Sequence, residues 1–141
     1  METLTLEQLA PYLPYSVMAQ DINTKEVRLV TLLHFTYNTK TVGHNHLIYN
    51  GLLLLSKHLL VLRPLSDLTK KIEQNGETFV PIEKLKEEMP NTPNFDYLLC
   101  MGINKYKNLS ETNIEWCVIK KLHEWHFDTE NLIPRGLAIS Y

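Results

Sequence analysis

This chain contains few glycines and cysteines and has no large excess of either charge. Each of these features excludes a class of protein. Five glycines in 141 residues leave no glycine-rich loop that would hold a phosphate group. The two cysteines, Cys100 and Cys117, are too few for a disulfide scaffold and lack the spacing of a metal site. A formal net charge of -2 argues against a protein whose main task is to coat nucleic acid.

The chain also lacks a long apolar run. Its most apolar region, 47–62, contains Asn50, Gly51 and Lys57 and falls short of the roughly 20 apolar residues that cross a membrane. The first residues carry no basic start before an apolar stretch, which predicts that there is no signal peptide. With 44% hydrophobic and 21% charged residues, the composition predicts one globular domain over residues 1–141, soluble and cytoplasmic.

The N-terminal half has the pattern of an antiparallel sheet. After a short helix over 5–10, which Thr5 and Gln8 cap, apolar and polar residues alternate from Glu26 to Tyr37 as they do in a strand. Turn residues on both sides predict that 16–21 and 41–50 are its antiparallel neighbours. We interpret the leucine-rich segment 52–62 as a further strand, although one buried helix fits the same pattern.

Helical periodicity dominates after Pro64. It predicts a short helix from Ser66 to Asn75, a second helix that begins at Pro81, and a strong third helix after Ser110. The third helix pairs Lys120 with Glu124 on its outer side, and its apolar face carries Ile114, Val118, Leu122 and Trp125. The predicted fold class is therefore α+β, with an N-terminal antiparallel β-meander of three to four strands packed against C-terminal helices.

Two packing hypotheses follow from these patterns. We expect the strand face with Val27, Leu29, Leu33 and Phe35 to be buried against the apolar face of the third helix, because neither surface is stable in water alone. We also expect the segments around Arg63 and His126 to pack on one another. Charges at the edge of a core are best tolerated as partners, which predicts a contact between Arg63 and Asp128 or between Asp67 and His126.

Six histidines raise the hypothesis of a metal site. His44 and His46 would point from one face of a strand and share an ion with His34 or His58. No cysteine or carboxylate stands beside them in sequence, so ordinary strand histidines account for the pattern. His123 and His126 are three residues apart, whereas H-E-x-x-H separates its imidazoles by one helical turn. We therefore predict no bound metal and no cofactor.

Catalytic and nucleic-acid signals are weak as well. Serine and cysteine occur without a nucleophile elbow or an adjacent base, which predicts a protein that is not an enzyme. The lysines at positions 70, 71, 105, 107, 120 and 121 would suit a nucleic-acid contact, with tyrosines available for base stacking. Acidic neighbours dilute each of these patches, so nucleic-acid binding remains an alternative.

Two motifs stand out from this background. In the segment 62–68 leucines recur every three residues around Arg63 and Asp67, and the segment 124–128 reads Glu-Trp-His-Phe-Asp. We predict that Trp125 anchors the core. His126 and Asp128, like Arg63 and Asp67, are polar groups that are costly to bury unpaired. A partner-binding role for the same five residues is the alternative interpretation.

These segments, together with Leu-Thr-Leu-Glu-Gln-Leu-Ala-Pro-Tyr-Leu-Pro-Tyr at 4–15, resemble a family of small proteins of gut bacteria and of their phages and prophages. The resemblance covers about the first fifteen residues, a central dozen and the last twenty. The family has no assigned activity, so the resemblance implies a genomic setting and no reaction.

The resemblance and the lack of catalytic motifs imply a non-enzymatic accessory protein of phage or prophage type in a bacterial host cell. It would act by binding a host or phage macromolecule, for example as an inhibitor of a bacterial defence system such as an anti-CRISPR protein. One alternative is a factor in phage DNA metabolism, which predicts a basic face that gathers Lys70, Lys71, Lys105 and Lys107. The other is a small metalloenzyme, which predicts that three or more of His34, His44, His46 and His58 share one cavity.

Overall fold

The structure of the protein is a computed structural model that describes residues 2–30, 46–48, 52–54, 57–91 and 114–141. In these ranges the strands are β1 (Met18–Asp21), β2 (Val27–Leu29), β3 (His46–Ile48), β4 (Leu52–Leu54), β5 (His58–Leu62), β6 (Ile72–Gln74), β7 (Glu77–Phe79) and β8 (Ala138–Ser140). The α-helices are α1 (Leu6–Leu9), α2 (Pro81–Glu88) and α3 (Trp116–Glu124), with 3-10 helices at Ala10–Tyr15 and Leu65–Thr69.

A four-stranded sheet forms the centre of the fold, in the order β2-β1-β5-β8. β1 pairs antiparallel with β2 on one side and with β5 on the other, so that Ala19 faces both Arg28 and Leu60. β8, near the end of the chain, runs parallel to β5 and completes the sheet. With this sheet and the helices that follow it in sequence, the predicted α+β class is confirmed.

Most of the predicted strands are present where the structure describes them. The antiparallel pairing of segment 16–21 with the strand that starts near Glu26 is confirmed by β1 and β2. The described residues of the leucine-rich segment form strands, as predicted, and contribute β4 and β5. The predicted pairing of segment 41–50 with the strand that starts near Glu26 is wrong for the described residues, because β3 pairs with β4 in a separate antiparallel hairpin and not with β2. Residues 31–45 lie outside the described ranges, and with them most of the strand predicted to end at Tyr37.

The short helix predicted from Ser66 to Asn75 is wrong. A 3-10 helix over Leu65–Thr69 is followed by β6 and β7, which form an antiparallel hairpin. The turn between them is Asn75-Gly76, whose φ angles of 53° and 79° are both positive, as a type I′ turn requires. Asn-Gly is the preferred pair for such a turn, and here it closes a hairpin instead of ending a helix.

The helix starts follow local sequence chemistry. Thr5 and Gln8 form the predicted capping box, since each side chain bonds the backbone amide of the other residue. Pro81 occupies the first turn of α2, as predicted, where its missing N–H costs nothing. The third helix starts later than predicted, because Glu115 is the N-cap of α3 in an extended conformation and Ile114 precedes the helix; Ser110, the predicted cap, lies outside the described ranges. Among the described helices none has the length and apolar character needed to cross a bilayer.

Two clusters of buried side chains stabilise the described part of the fold. The sheet core joins the N-terminal segment, the central strands and the C-terminal segment, and it includes Leu9, Tyr12, Ala19, Leu60, Leu62, Leu132 and Leu137. The helix core joins α2, α3 and the hairpin before them, and it includes Leu68, Ile72, Leu85, Val118, Leu122, Trp125 and Phe127. The apolar face of α3 is therefore covered by the segment 65–89.

The predicted packing of the first long strand against α3 is wrong for the described residues. Val27 and Leu29 are 43% and 41% exposed, while Leu33 and Phe35 lie outside the described ranges. β2 occupies one end of the sheet, whereas the sheet core forms around β1 and β5. The apolar face of α3 packs against residues 65–89 in the helix core, and β2 contributes no side chain to that core.

Candidate functional site

The central and C-terminal motifs meet through their backbones. Arg63 and Phe127 form an isolated parallel bridge just beyond the end of β5. The Arg63 amide donates to the carbonyl of His126 (N···O 2.7 Å), and the Asp128 amide donates to the carbonyl of Arg63 (2.8 Å). The predicted packing of these two motifs on one another is confirmed.

The N-terminal segment joins the same place. The Tyr12 hydroxyl donates to the carbonyl of Phe127 (3.0 Å), and Nε2 of His126 donates to the carbonyl of Tyr15 (2.6 Å). The N-terminal and the central motif therefore both contact the C-terminal motif at residues 126–128. We call the contacts among Tyr12, Tyr15, Arg63 and residues 126–129 the motif junction.

The side-chain pairs predicted between the motifs are wrong. The Arg63 guanidinium lies 4.1 Å from the ring centroid of Tyr141 and donates to the carbonyl of Glu73 (2.9 Å). Asp67 instead pairs with Lys70 on the surface (2.6 Å). The Asp128 carboxylate turns towards the chain that follows it, because the buried backbone amides there need an acceptor and Arg63 already has partners.

Trp125 and His126 follow the last residue of α3 and have different roles there. Trp125 is buried in the helix core, 4.9 Å from the ring of Phe79. His126 has a φ of 59° and occupies the left-handed position after the helix that glycine usually fills. The His126 amide bonds the carbonyl of His123 and the Phe127 amide bonds that of Leu122, which together make a Schellman motif.

A histidine replaces glycine at this position because its ring makes two hydrogen bonds there. While Nε2 donates to the carbonyl of Tyr15, Nδ1 accepts from the hydroxyl of Tyr141 (3.1 Å) in the neutral ring. Burial lowers the pKa of His126, and the positive charge of Arg63 lowers it further, against the opposing effect of the Tyr15 carbonyl. The residue therefore clamps the end of the first 3-10 helix to the end of α3.

A second histidine belongs to a buried network beside the clamp. Nε2 of His123 lies 2.7 Å from the Thr129 hydroxyl, and the Thr129 amide donates to the Tyr12 hydroxyl (3.2 Å). The Tyr12 ring meets the imidazole edge-on, with centroids 4.9 Å apart. Burial lowers the pKa of His123 to about 4 and raises that of Tyr12, so both side chains are neutral at pH 7.

The Thr129 hydroxyl at the centre of this network is not exposed as a reactive group. Thr129 is 1% exposed, and its hydroxyl is enclosed by the Tyr12 hydroxyl and the His123 ring. A nucleophile needs a substrate within reach, which that burial prevents. The network instead attaches the N-terminal segment rigidly to α3.

The burial of His123 predicts a loss of stability in mild acid. An unfolded chain protonates this histidine below its ordinary pKa of 6.5, while the folded protein keeps it neutral down to about 4. The free energy of unfolding is therefore complete above pH 6.5 and falls as the pH drops towards 4. Between pH 7.5 and pH 5 we expect a loss of about 2 kcal/mol from this group.

Urea unfolding at pH 7.5, 6.5, 5.5 and 5 measures this loss. The control is His123→Gln, which keeps a hydrogen-bonding side chain next to Thr129 but does not titrate. Its unfolding free energy should change about 2 kcal/mol less over the same interval. Parallel curves for the variant and the parent would show that His123 is not the responsible group.

An open groove lies directly against the motif junction. One wall is the N-terminal helical segment with Glu7, Ala10, Pro11, Pro14 and Tyr15, and the other is α3 with Trp116, Lys120 and His123. The cavity between the walls holds about 430 Å³. Tyr15 lies both in the groove and in the motif junction, and His123 lines the groove while bonding Thr129 of the junction. The motif junction therefore lies directly behind the groove and attaches its N-terminal wall to the end of α3.

Trp116 is the outstanding side chain of this groove. It is 69% exposed, although tryptophan is a residue that proteins bury on average, and its ring meets that of His123 edge-on at 6.4 Å. Glu7 on one wall and Lys120 on the other are both exposed. The predicted pairing of Lys120 with Glu124 is wrong, since Lys121 bonds Glu124 and Glu88 instead.

The groove residues carry almost no signal of a site in the sequence. The exception is Trp116. It is two residues from Val118, and helical positions two apart lie on nearly opposite sides, so its side chain belongs to the polar face of α3. An aromatic residue on the polar face of an amphipathic helix is a candidate for binding. Glu7 and Tyr15 have no comparable signal, since only the fold brings them opposite α3.

The residues of the two alternative functions lie partly outside the described ranges. His34 and His44 are not described, and His58 is buried with Nε2 3.7 Å from a carboxylate oxygen of Asp21. In the described part of the chain no group of three or more histidine, cysteine or carboxylate side chains is placed to hold a metal. Lys105 and Lys107 are likewise outside these ranges.

No protein-family model matches this chain, and no curated protein or solved structure is significantly similar to it. The motif junction and the groove are therefore the features from which a function is inferred.

Proposed function

We propose that the protein is a non-enzymatic accessory of phage or prophage type that acts in the bacterial cytoplasm by binding a protein partner through the groove. Inhibition of a host defence system, in the manner of an anti-CRISPR protein, is the form that we propose to test. The observation that carries the proposal is the exposure of Trp116 beside a preformed cavity.

Two physical arguments support a protein partner. Tryptophan is among the residues most enriched at positions that dominate binding energy, and a side chain beside a cavity is desolvated when a partner covers it. The N-terminal wall is attached to the end of α3 by the hydrogen bond from His126 to the Tyr15 carbonyl and by the contact of Tyr12 with Thr129, which His123 also bonds, so little order has to be created on binding. A rigid surface with one large aromatic side chain is typical of an interaction site.

Replacement of Trp116 by alanine should abolish the function and leave the fold intact. Because the side chain is mostly exposed, we expect a change in unfolding free energy within about 0.5 kcal/mol. Loss of a tryptophan that dominates an interface costs about 2 kcal/mol or more, which weakens binding about 30-fold. In cells with active CRISPR immunity, the parent protein should restore phage plaques and Trp116→Ala should not.

A matched control is Ile22→Ala, which removes another exposed apolar side chain that is not part of the groove. Protein captured from host lysate by the parent and by Ile22→Ala, but not by Trp116→Ala, should then bind the purified parent protein in calorimetry. Equal capture by all three proteins would refute a role of the groove. Normal capture without rescue of plaques would leave binding intact and contradict the inhibitor form.

A further inference from the structure

We propose that the groove also binds the groove of a second copy of this chain, so that the free protein forms a two-fold symmetric dimer. The groove of a single protomer contains both kinds of group that such an interface needs, an apolar anchor and complementary charges. An aromatic side chain, Trp116, projects beside a cavity, and opposite charges stand on the two walls. This inference uses the groove of the proposed function but does not depend on a host partner.

The charges are arranged for intermolecular pairing. Glu7 is on the N-terminal wall and Lys120 is on the α3 wall, and both line the groove. Neither forms an ion pair with another residue in the described ranges, although five other lysine and arginine side chains there do so. Both side chains are exposed, so each is accessible to a charge that enters the groove from outside.

A second copy satisfies both charges at once. In a two-fold interface, when residue i of one copy contacts residue j of the other, residue j of the first copy also contacts residue i of the second. Glu7 of one copy then meets Lys120 of the other, and the same contact occurs a second time by symmetry. A partner with one sign of charge would satisfy one wall and repel the other. The groove is thus self-complementary.

The symmetric contact also accounts for the exposure of Trp116. When two grooves face each other, each tryptophan ring can enter the cavity of the opposite copy beside Pro14 and Tyr15. The groove is small compared with the roughly 800 Å² that each partner buries in a standard interface. We therefore expect a weak, reversible dimer whose dissociation constant rises with salt, because exposed charge pairs are screened.

The test measures association by sedimentation velocity from low micromolar to several hundred micromolar protein. Each charge reversal, Glu7→Lys or Lys120→Glu, places like charges opposite each other twice in the dimer. We expect each to raise the dissociation constant at least about tenfold. Trp116→Ala should do the same. Glu83→Lys and Lys86→Glu make equal charge changes on α2, outside the groove, and should leave the dissociation constant unchanged.

Mixing the two reversed proteins tests directly whether positions 7 and 120 meet across the interface. In a one-to-one mixture, the lysine of Glu7→Lys faces the glutamate of Lys120→Glu, and that contact is attractive again. The mixture should associate more strongly than either variant alone. A pair formed within one chain cannot be repaired by mixing. Circular dichroism of each variant establishes that it is folded.

Three results would each overturn the inference. If the parent protein is monomeric at every concentration, the groove does not bind a second copy. A dimer that survives Trp116→Ala and both reversals uses a different surface. A mixture that associates no better than its components shows that Glu7 and Lys120 do not meet across a two-fold axis.

Discussion

Replacement of Asp128 by alanine is expected to destabilise the protein by about 3 kcal/mol or more. The side chain is buried, and its two carboxylate oxygens accept hydrogen bonds from the amides of Leu132 and Ile133, each at 2.8 Å. Burial raises the pKa of this carboxyl, while the amide bonds oppose that shift. Without the acceptor, the buried Leu132 amide is left unpaired at the point where the chain turns towards β8.

Two further variants test this role of the carboxylate in urea unfolding experiments. Asp128→Asn should be almost as destabilised as the alanine variant, because its NH₂ group would face an amide that also donates. Asp67→Ala, in the central motif, should lose no more than about 1 kcal/mol, since Asp67 pairs with the exposed Lys70. If Asp67 and Asp128 prove equally important, the assignment of their partners is wrong.

Replacement of Phe127 by alanine should cost about 3–5 kcal/mol, a loss comparable with or greater than that of the Asp128 variant. The Phe127 side chain is 0% exposed and belongs to the helix core. Its backbone is fixed on both sides, by the bridge to Arg63 and by the hydrogen bond to Leu122, so the surrounding chain cannot collapse into the space left by the ring.

Phe127→Leu fills most of that space and should lose less than half as much. Trp116→Ala removes an even larger aromatic side chain from the surface and should change stability by only about 0.5 kcal/mol. Thermal and urea unfolding of the three variants give the comparison. A loss below about 1 kcal/mol for Phe127→Ala would show that the helix core can repack around the bridge.

The secondary-structure predictions that succeeded rest mostly on interactions between near neighbours in sequence. The capping box of Thr5 and Gln8, the start of α2 at Pro81 and the β1–β2 hairpin each depend on residues within one turn or loop. Asn75-Gly76 shows the limit of such signals. The same pair can end a helix or close a hairpin, and here it closes a hairpin whose Ile72 and Phe79 pack in the helix core.

The candidate site was only partly visible in the sequence. The motifs around Arg63 and His126 were correctly expected to meet, because polar groups among apolar ones need partners. Their actual partners were not predictable, since main-chain groups satisfy most of them. The Arg63 side chain bonds the carbonyl of Glu73, and Asp128 bonds the amides of the next turn. Every residue supplies such backbone groups, so no pattern of side chains marks them.

The sequence by itself determined the α+β class, the capping box of α1, the start of α2 and the burial of Trp125, because hydrophobic period and capping chemistry act over a few residues. The tertiary structure alone decided that β8 runs parallel to β5, that the 65–89 segment covers α3, and that Glu7 and Tyr15 face Trp116 across a groove. Most of these arrangements join segments far apart in the chain, and competition among apolar surfaces for the same partners decides them.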